Sequence, residues 1–303
     1  MQKPVPVLAG FVQLIDVMGC DKDIVDAART SYGKDDPEHD EIMRYDDVNL
    51  LEYLMRHRHT SPFEMCEVKF LVEAPMDVWR QWIRHRTANV NEYSTRYRPA
   101  IDRMEKAEEW RAQSTNNKQG SRGIVTQFPE GFHSEGFISP VAPQEYLSNR
   151  EQALQELARD VYEERIEFGV ALEQARKDLP LSTYTRAMWK IDLHNLLHFL
   201  SLRCDSHAQH EIRAYADAML GAIELLFPVT VAAFRCYRME SVTLSARDQL
   251  GLKRTLSALL DPTSVSVARL CDSVPEWKEA LERTGKYPRE AVESCDKIRK
   301  LFS

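Results

Sequence analysis

Apolar and polar positions change rhythm several times along the 303 residues. GFVQLIDVMG (10–19) alternates as a strand does. CEVKFLVEAP (66–75) sets Cys66, Val68, Phe70 and Val72 against Glu67, Lys69 and Glu73, so it reads as a strand stopped by Pro75. Helical spacing predicts a helix from Asp21 to near Ser31 and Gly33, and another over 46–58 on the stripe Leu50, Leu51 and Leu54. A third, over 76–86, buries Val78, Trp79, Trp82 and Ile83. A long helix is expected over 144–178 with Leu154, Leu157, Val161 and Ile166 on its apolar face, Gly169 as an interruption and Pro180 beyond its end. Two more cover 192–202 and 207–227, the latter carrying Ile212, Tyr215, Met219 and Ile223 and stopped by Pro228.

Between these elements, 103–144 is rich in Ser, Asn, Gly and Pro and keeps no period, the texture of an insertion or lid. Residues 241–303 are charged and helix-like, an extension to a main domain over 1–240. Strands, helices, a strand and then long helices give an α+β class, not alternating βα units.

Composition narrows the function. Hydrophobic residues at 43% and charged residues at 29% suit a soluble globular protein. No apolar run approaches the roughly 20 residues of a membrane span. The N-terminal stretch is too short and too broken by Pro4 and Pro6 for a signal peptide, so the expected location is cytoplasmic and no membrane partner is expected. Six cysteines without a CxxC pair are expected as thiols, mostly buried. A net charge of −7 argues against nucleic acid as a partner of the whole surface.

One stretch runs against that balance. Residues 84–98 hold Arg84, Arg86, Arg96 and Arg98 against a single carboxylate, Glu92, which suits a small anionic ligand. The chain has 11 glycines and neither GxGxxG nor GxxxxGK[ST], so phosphates must be met by arginine forks, histidines and hydroxyls. Three clusters offer these. In RHRHTSPFE (56–64), Arg56, His57 and Arg58 have a plainer use, favouring a helix C-terminus. In 81–97, Gln81 and Arg84 share one helical neighbourhood, two guanidiniums and Ser94 are able to hold a phosphate, and Asn91 and Glu92 to read a ribose or base edge. The alternative is a solvated, salt-bridged helix end. In 192–216, His194 and His198 stand one helical turn apart, with His207 and His210 following. That spacing fits a metal, but HExxH is absent, and half-buried structural histidines read equally well. Arg203, after an apolar helix, points to an enclosed place and needs an acid or an outside anion as partner.

Together these segments resemble the flavin-dependent thymidylate synthases. That family's signature is RHRxxSxNExSxRY, and residues 84–97 read RHRTANVNEYSTRY, departing only at Asn89. FVQLIDVMGCDKDIVDAARTSYG, HTSPFE, RQWIRHR, LPLSTYTR and LRCDSHAQHEI extend the match in order over about 10–240.

The resemblance implies a family-specific mixed α/β fold, a small sheet with long helices, and a homotetramer with active sites between subunits. It implies FAD as cofactor, NADPH and 5,10-methylenetetrahydrofolate as co-substrates, and dUMP as acceptor, giving dTMP and tetrahydrofolate. dUMP contacts would be Gln81, Arg84, Glu92, Tyr93, Ser94, Thr95, Arg96, Arg176 and Arg203. FAD contacts would be Ser31, His59, Ser61, Glu64, Arg84, His85, Arg86, Glu92, Asp192, His194, His198 and His207, with Asp192 where asparagine is usual. Arg203 would lie against the uracil as the catalytic residue.

The residues make sense of that role. Methylating C5 of uracil needs electron density there, supplied by a cysteine adding to C6 or by stabilising negative charge over N3, O2 and O4. Cys204, beside Arg203, is the tempting thiol but has no evident base, whereas a permanently charged guanidinium acts without proton transfer. Ser94 lacks a histidine–acid pair and is assigned to binding. Two rivals stay open on the residues alone: a metal-dependent nucleotide phosphohydrolase using His194, His198 and His207, and a non-catalytic RNA-binding module using 84–98.

Overall fold

The computed structural model describes residues 3–31, 33, 43–115, 120–132, 141–259 and 266–300. They fold as two compact units, Met1–Glu240 and Ser241–Ser303. In the first, strand β1 (Val5–Val7) turns into β2 (Gly10–Met18), followed by helices α1 (Asp21–Thr30) and α2 (Tyr45–Arg56). Then come β3 (Glu67–Pro75), α3 (Met76–Trp82), β4 (Asn89–Glu92) and a hairpin of β5 (Arg111–Gln113) and β6 (Ser121–Ile124). Helix α4 (Pro143–Glu167), short α5 (Leu172–Ala175), β7 (Tyr184–Asp192), α6 (Leu193–Arg203), α7 (His210–Glu224) and α8 (Pro228–Phe234) complete it. Five strands form one sheet in the order β1-β2-β3-β7-β4, antiparallel throughout.

The mixed class expected from the sequence is present: a small antiparallel sheet and many helices. β2 and β3 alternate buried Val12, Leu14, Val68, Phe70 and Val72 against half-buried Phe11, Gln13, Lys69 and Leu71, while Glu73, expected on the polar side, is buried where Arg186 pairs with it. Five strands were not foreseen, the short β1, β5 and β6 and, nearer the site, β7 and β4. β7 alternates Ala187, Trp189 and Ile191 against Arg186, Met188 and Lys190, a signal present in the chain. β4 is only four residues long and exposed throughout, so no alternation betrays it; it pairs along β7 from Asn89↔Lys190 to Glu92↔Ala187.

Three helices differ from their patterns. α3 ends at Trp82, and Ile83, expected inside, is 43% exposed. The stretch 144–178 breaks at Gly169, whose φ of 75° no helix tolerates, leaving α4 and α5. On α4, Leu154 and Leu157 are each 61% exposed; Gln155 and Tyr162 are buried instead. The inward face of α4 is polar because it serves backbone groups: Gln155 Nε2–H donates to Glu105 O (2.6 Å), and Tyr162 OH accepts from Ala100 N–H (2.9 Å). Pro228 does not merely end α7; it opens α8, where a missing N–H costs nothing.

The described part of 103–144 is anchored to α4, with Gln144 Nε2–H donating to Val125 O (2.7 Å) and Trp110 O (3.0 Å). Residues 116–119 and 133–140 of that stretch lie outside the described residues. Asp21, buried in α1, caps α8 by accepting from Val229 N–H, Thr230 N–H and Thr230 Oγ1–H at 2.6–3.0 Å. The second unit holds α9 (Ala246–Leu259), α10 (Val267–Ser273), α11 (Pro275–Thr284) and α12 (Arg289–Lys300), with Cys271, Ala291 and Cys295 buried.

Candidate active site

Four buried rings bind the elements that carry the site. Trp82 of α3 packs on Trp189 of β7, Phe199 of α6 and Tyr215 of α7, with centroids 4.9–6.1 Å apart. This fixes the end of α3 against the end of α6, so residues 118 positions apart meet: Arg203 Nε–H donates to His85 Nε2 at 3.1 Å. Arg203 Nη2–H reaches Gln81 O at 3.4 Å. Among the described residues no carboxylate pairs with Arg203. Burial holds its guanidinium below the usual arginine range. The same burial, with the charge of Arg203 and the proximity of His198, pushes His85 down to about 4, so His85 is neutral and accepts the bond as its Nδ1–H tautomer. Gln81 is held in turn by a side-chain bond to Gln209, a residue that no motif or spacing singles out.

The signature segment crosses the sheet edge on β4 and then turns. Glu92 Oε1 accepts from Thr185 Oγ1–H at 2.8 Å, and Tyr93 OH donates to Pro99 O at 2.9 Å. Ser94 O accepts from the amides of Tyr97 and Arg98 at 3.2–3.3 Å, giving a tight turn. Thr95 is buried at its centre and accepts from Arg176 Nη1–H at 2.7 Å, so two residues expected at the nucleotide brace each other. Arg84, Arg86 and Arg96 are exposed. Arg96 lies over the Tyr97 ring and 3.8 Å from Glu173, an exposed pair that restrains it little.

The residues expected at the flavin separate into groups. His59, His194 and His198 share a pocket of about 310 Å³ between the end of α2 and α6, with Ser201, Arg58 and Arg238. Its wall contains five arginine or histidine side chains and no carboxylate, the donor set a phosphate-bearing cofactor needs. His198 lies 5.9 Å from His85, linking this pocket to Arg203. Ser61 and Glu64 form the turn beside it, Glu64 N–H donating to Ser61 O at 3.2 Å, and Ser31 closes α1. Asp192 caps α6, accepting from Asn195 N–H (2.9 Å) and Nδ2–H (2.7 Å), so its charge is spent on the helix N-terminus.

His207 does not join them. It is 76% exposed and bonded to Asp205 Oδ1 at 2.8 Å, on a larger cleft of about 1160 Å³ under the β5–β6 hairpin. That cleft is acidic: Asp77 and Glu105 are pushed up by burial, and Glu211 is engaged by Arg111. Its walls oppose a phosphate. Among the described residues no three His, Cys, Asp or Glu side chains converge as metal ligands, so His194, His198 and His207 do not make the centre a phosphohydrolase reading requires. Cys204 is half-buried, its thiol raised to about 12 by burial and by Asp217.

A mixed fold in which the signature segment meets a half-buried guanidinium beside a basic pocket defines a nucleotide-handling enzyme. Comparison with known proteins sharpens the class. The thymidylate synthase complementing protein family (Thy1) matches residues 13–229. A flavin-dependent thymidylate synthase of Wolbachia pipientis wMel is 48% identical over 238 residues, 78% of this chain and 77% of the relative. One from Gluconobacter oxydans (strain 621H) is 42% identical over 281 residues, covering 89% and 83%. A UMP/dUMP methylase, PolB from Streptomyces cacaoi bound with 5-Br dUMP, superposes with a TM-score of 0.66 at 31% identity, over 78% of this chain and 99% of that one. The chain belongs to the Thy1 family, the flavin-dependent thymidylate synthases.

Proposed function

We propose that the protein methylates dUMP to dTMP, taking the carbon from 5,10-methylenetetrahydrofolate and the reducing equivalents from NADPH through FAD, and releasing tetrahydrofolate. Residues 1–240 carry this activity, and a homotetramer completes the sites. The observation that carries the reading is the setting of Arg203: a half-buried guanidinium, fixed on two sides by neutral acceptors and paired with no acid among the described residues. An always-charged group so placed is stabilised by an anion from outside, here the negative charge that builds over N3, O2 and O4 of the pyrimidine. The thiol route has little support, because a Cys204 held near 12 carries almost no thiolate at neutral pH.

The other roles follow from position. The turn at Ser94, braced by Thr95 and Arg176, presents a hydroxyl and Arg96 to the substrate phosphate, with Arg84 and Gln81 beside it. Glu92, oriented by Thr185, faces the sugar or base, and Tyr93 fixes the turn's exit. His59, His194 and His198, with His85, Arg86, Ser61, Glu64, Ser31 and Asp192 around them, form the flavin side; His207 reaches it only from its own surface. FAD, when bound, supplies the hydride that the folate would otherwise lose. Exposed Arg84, Arg86 and Arg96 support a site closed by a second copy of the chain.

The test is the visible spectrum of purified protein before and after adding FAD. Retained flavin absorption that bleaches with NADPH once dUMP is present supports the reading. Protein that fails to retain added FAD contradicts it.

A further inference from the structure

Two arginines in the acid-free pocket, Arg58 and Arg238, are not among the contacts that the family resemblance implies. They enter from separate elements. Arg238 sits in the π-turn after α8, held by an Nη2–H bond to Met55 O of 2.9 Å. Arg58 closes α2: its amide bonds Met55 O (3.3 Å), the amide of His59 bonds Leu54 O (3.0 Å), and its φ is 61°. That closing motif favours glycine, because a side chain is disfavoured in the left-handed region. An arginine kept there works against backbone preference, and although Arg58 itself is exposed, its charge adds to burial in lowering the half-buried Arg238 guanidinium below the usual arginine range. The rest of the pocket lining includes His59, His194 and His198 and no carboxylate. Guanidiniums gathered in this way suit bidentate contact with a phosphate.

We infer that Arg58 and Arg238 form a clamp for a phosphate group of the dinucleotide cofactor, within the pocket of His59, His194 and His198. This rests on the flavin reading above. The chemistry fits the pyrophosphate of FAD and also the extra phosphate that distinguishes NADPH from NADH, and the test separates them.

Flavin-stripped full-length protein is titrated with FAD by quenching of flavin fluorescence, and its melting is followed without cofactor. Arg58→Gly relieves the left-handed strain, so the apoprotein melts higher while FAD binds on the order of 10- to 100-fold more weakly. Arg238→Gln keeps a donor for Met55 O and loses affinity to a similar degree, and both variants show a shallower dependence of FAD affinity on salt. Unchanged FAD affinity in both variants overturns the clamp. So does a fall in both melting temperature and affinity for Arg58→Gly, the mark of a folding role alone. A loss confined to NADPH relative to NADH, with FAD affinity intact, overturns it in favour of the nicotinamide co-substrate. Wild-type protein that binds no FAD fails the flavin reading itself, and the clamp with it.

Discussion

Arg203 serves a pyrimidine only if its guanidinium cannot turn away. His85 and the Gln81 carbonyl prevent that, and His85 does so as a neutral acceptor. Arg203→Lys keeps the charge but loses the planar fork and both restraints, so kcat is expected to fall about 10²- to 10³-fold, with a smaller change in KM for dUMP. The state of His85 also sets a pH dependence. The unfolded chain takes up a proton near 6.5 but the folded protein only near 4, so the unfolded state binds more protons across that window. Stability is expected to fall as pH is lowered from about 6.5 towards 4, and His85→Gln, which offers an acceptor that does not titrate, is expected to flatten that fall in thermal melts. Arg203 was legible in the sequence as a cation in need of a partner. Its partner was not: nothing along the chain records that positions 85 and 203 meet, because the aromatic packing that joins α3 to α6 is a property of three dimensions. Arg58 was legible only as a helix-end charge for the same reason.

At the scale of elements, patterning succeeded where one face was apolar and failed where polar groups set the orientation. β2 and β3 alternate over most of their length and were read; β4 is short, polar and defined by its partner; α4 turns Gln155 and Tyr162 inward to satisfy backbone groups that sequence does not reveal. Asp192 is a case where structure changes the meaning of a substitution. As the cap of α6 it accepts from Asn195, so Asp192→Ala is expected to cost about 1 kcal/mol in urea unfolding, while Asp192→Asn stays within a few tenths. Under the proposed function the α6 cap matters because that helix carries His194, His198 and Arg203 together.

For the whole molecule, the signature lies in the unit Met1–Glu240, and family membership rests on residues 13–229 within it. The cation-rich pocket and the acidic cleft divide it electrostatically, a division that the overall charge of −7 conceals. The proposed tetramer would cover exposed Leu154 and Leu157 on α4 and the exposed signature arginines, and sedimentation is then expected to give four times the monomer mass. The account as a whole stands on one reaction. Purified, FAD-supplemented protein is incubated with dUMP, NADPH and 5,10-methylenetetrahydrofolate, and the folate product is identified alongside the nucleotide. The account predicts dTMP with an equal amount of tetrahydrofolate, and no dTMP when NADPH is omitted. Formation of dTMP with dihydrofolate, independent of NADPH, would contradict it, since the folate and not the flavin would then have supplied the hydride.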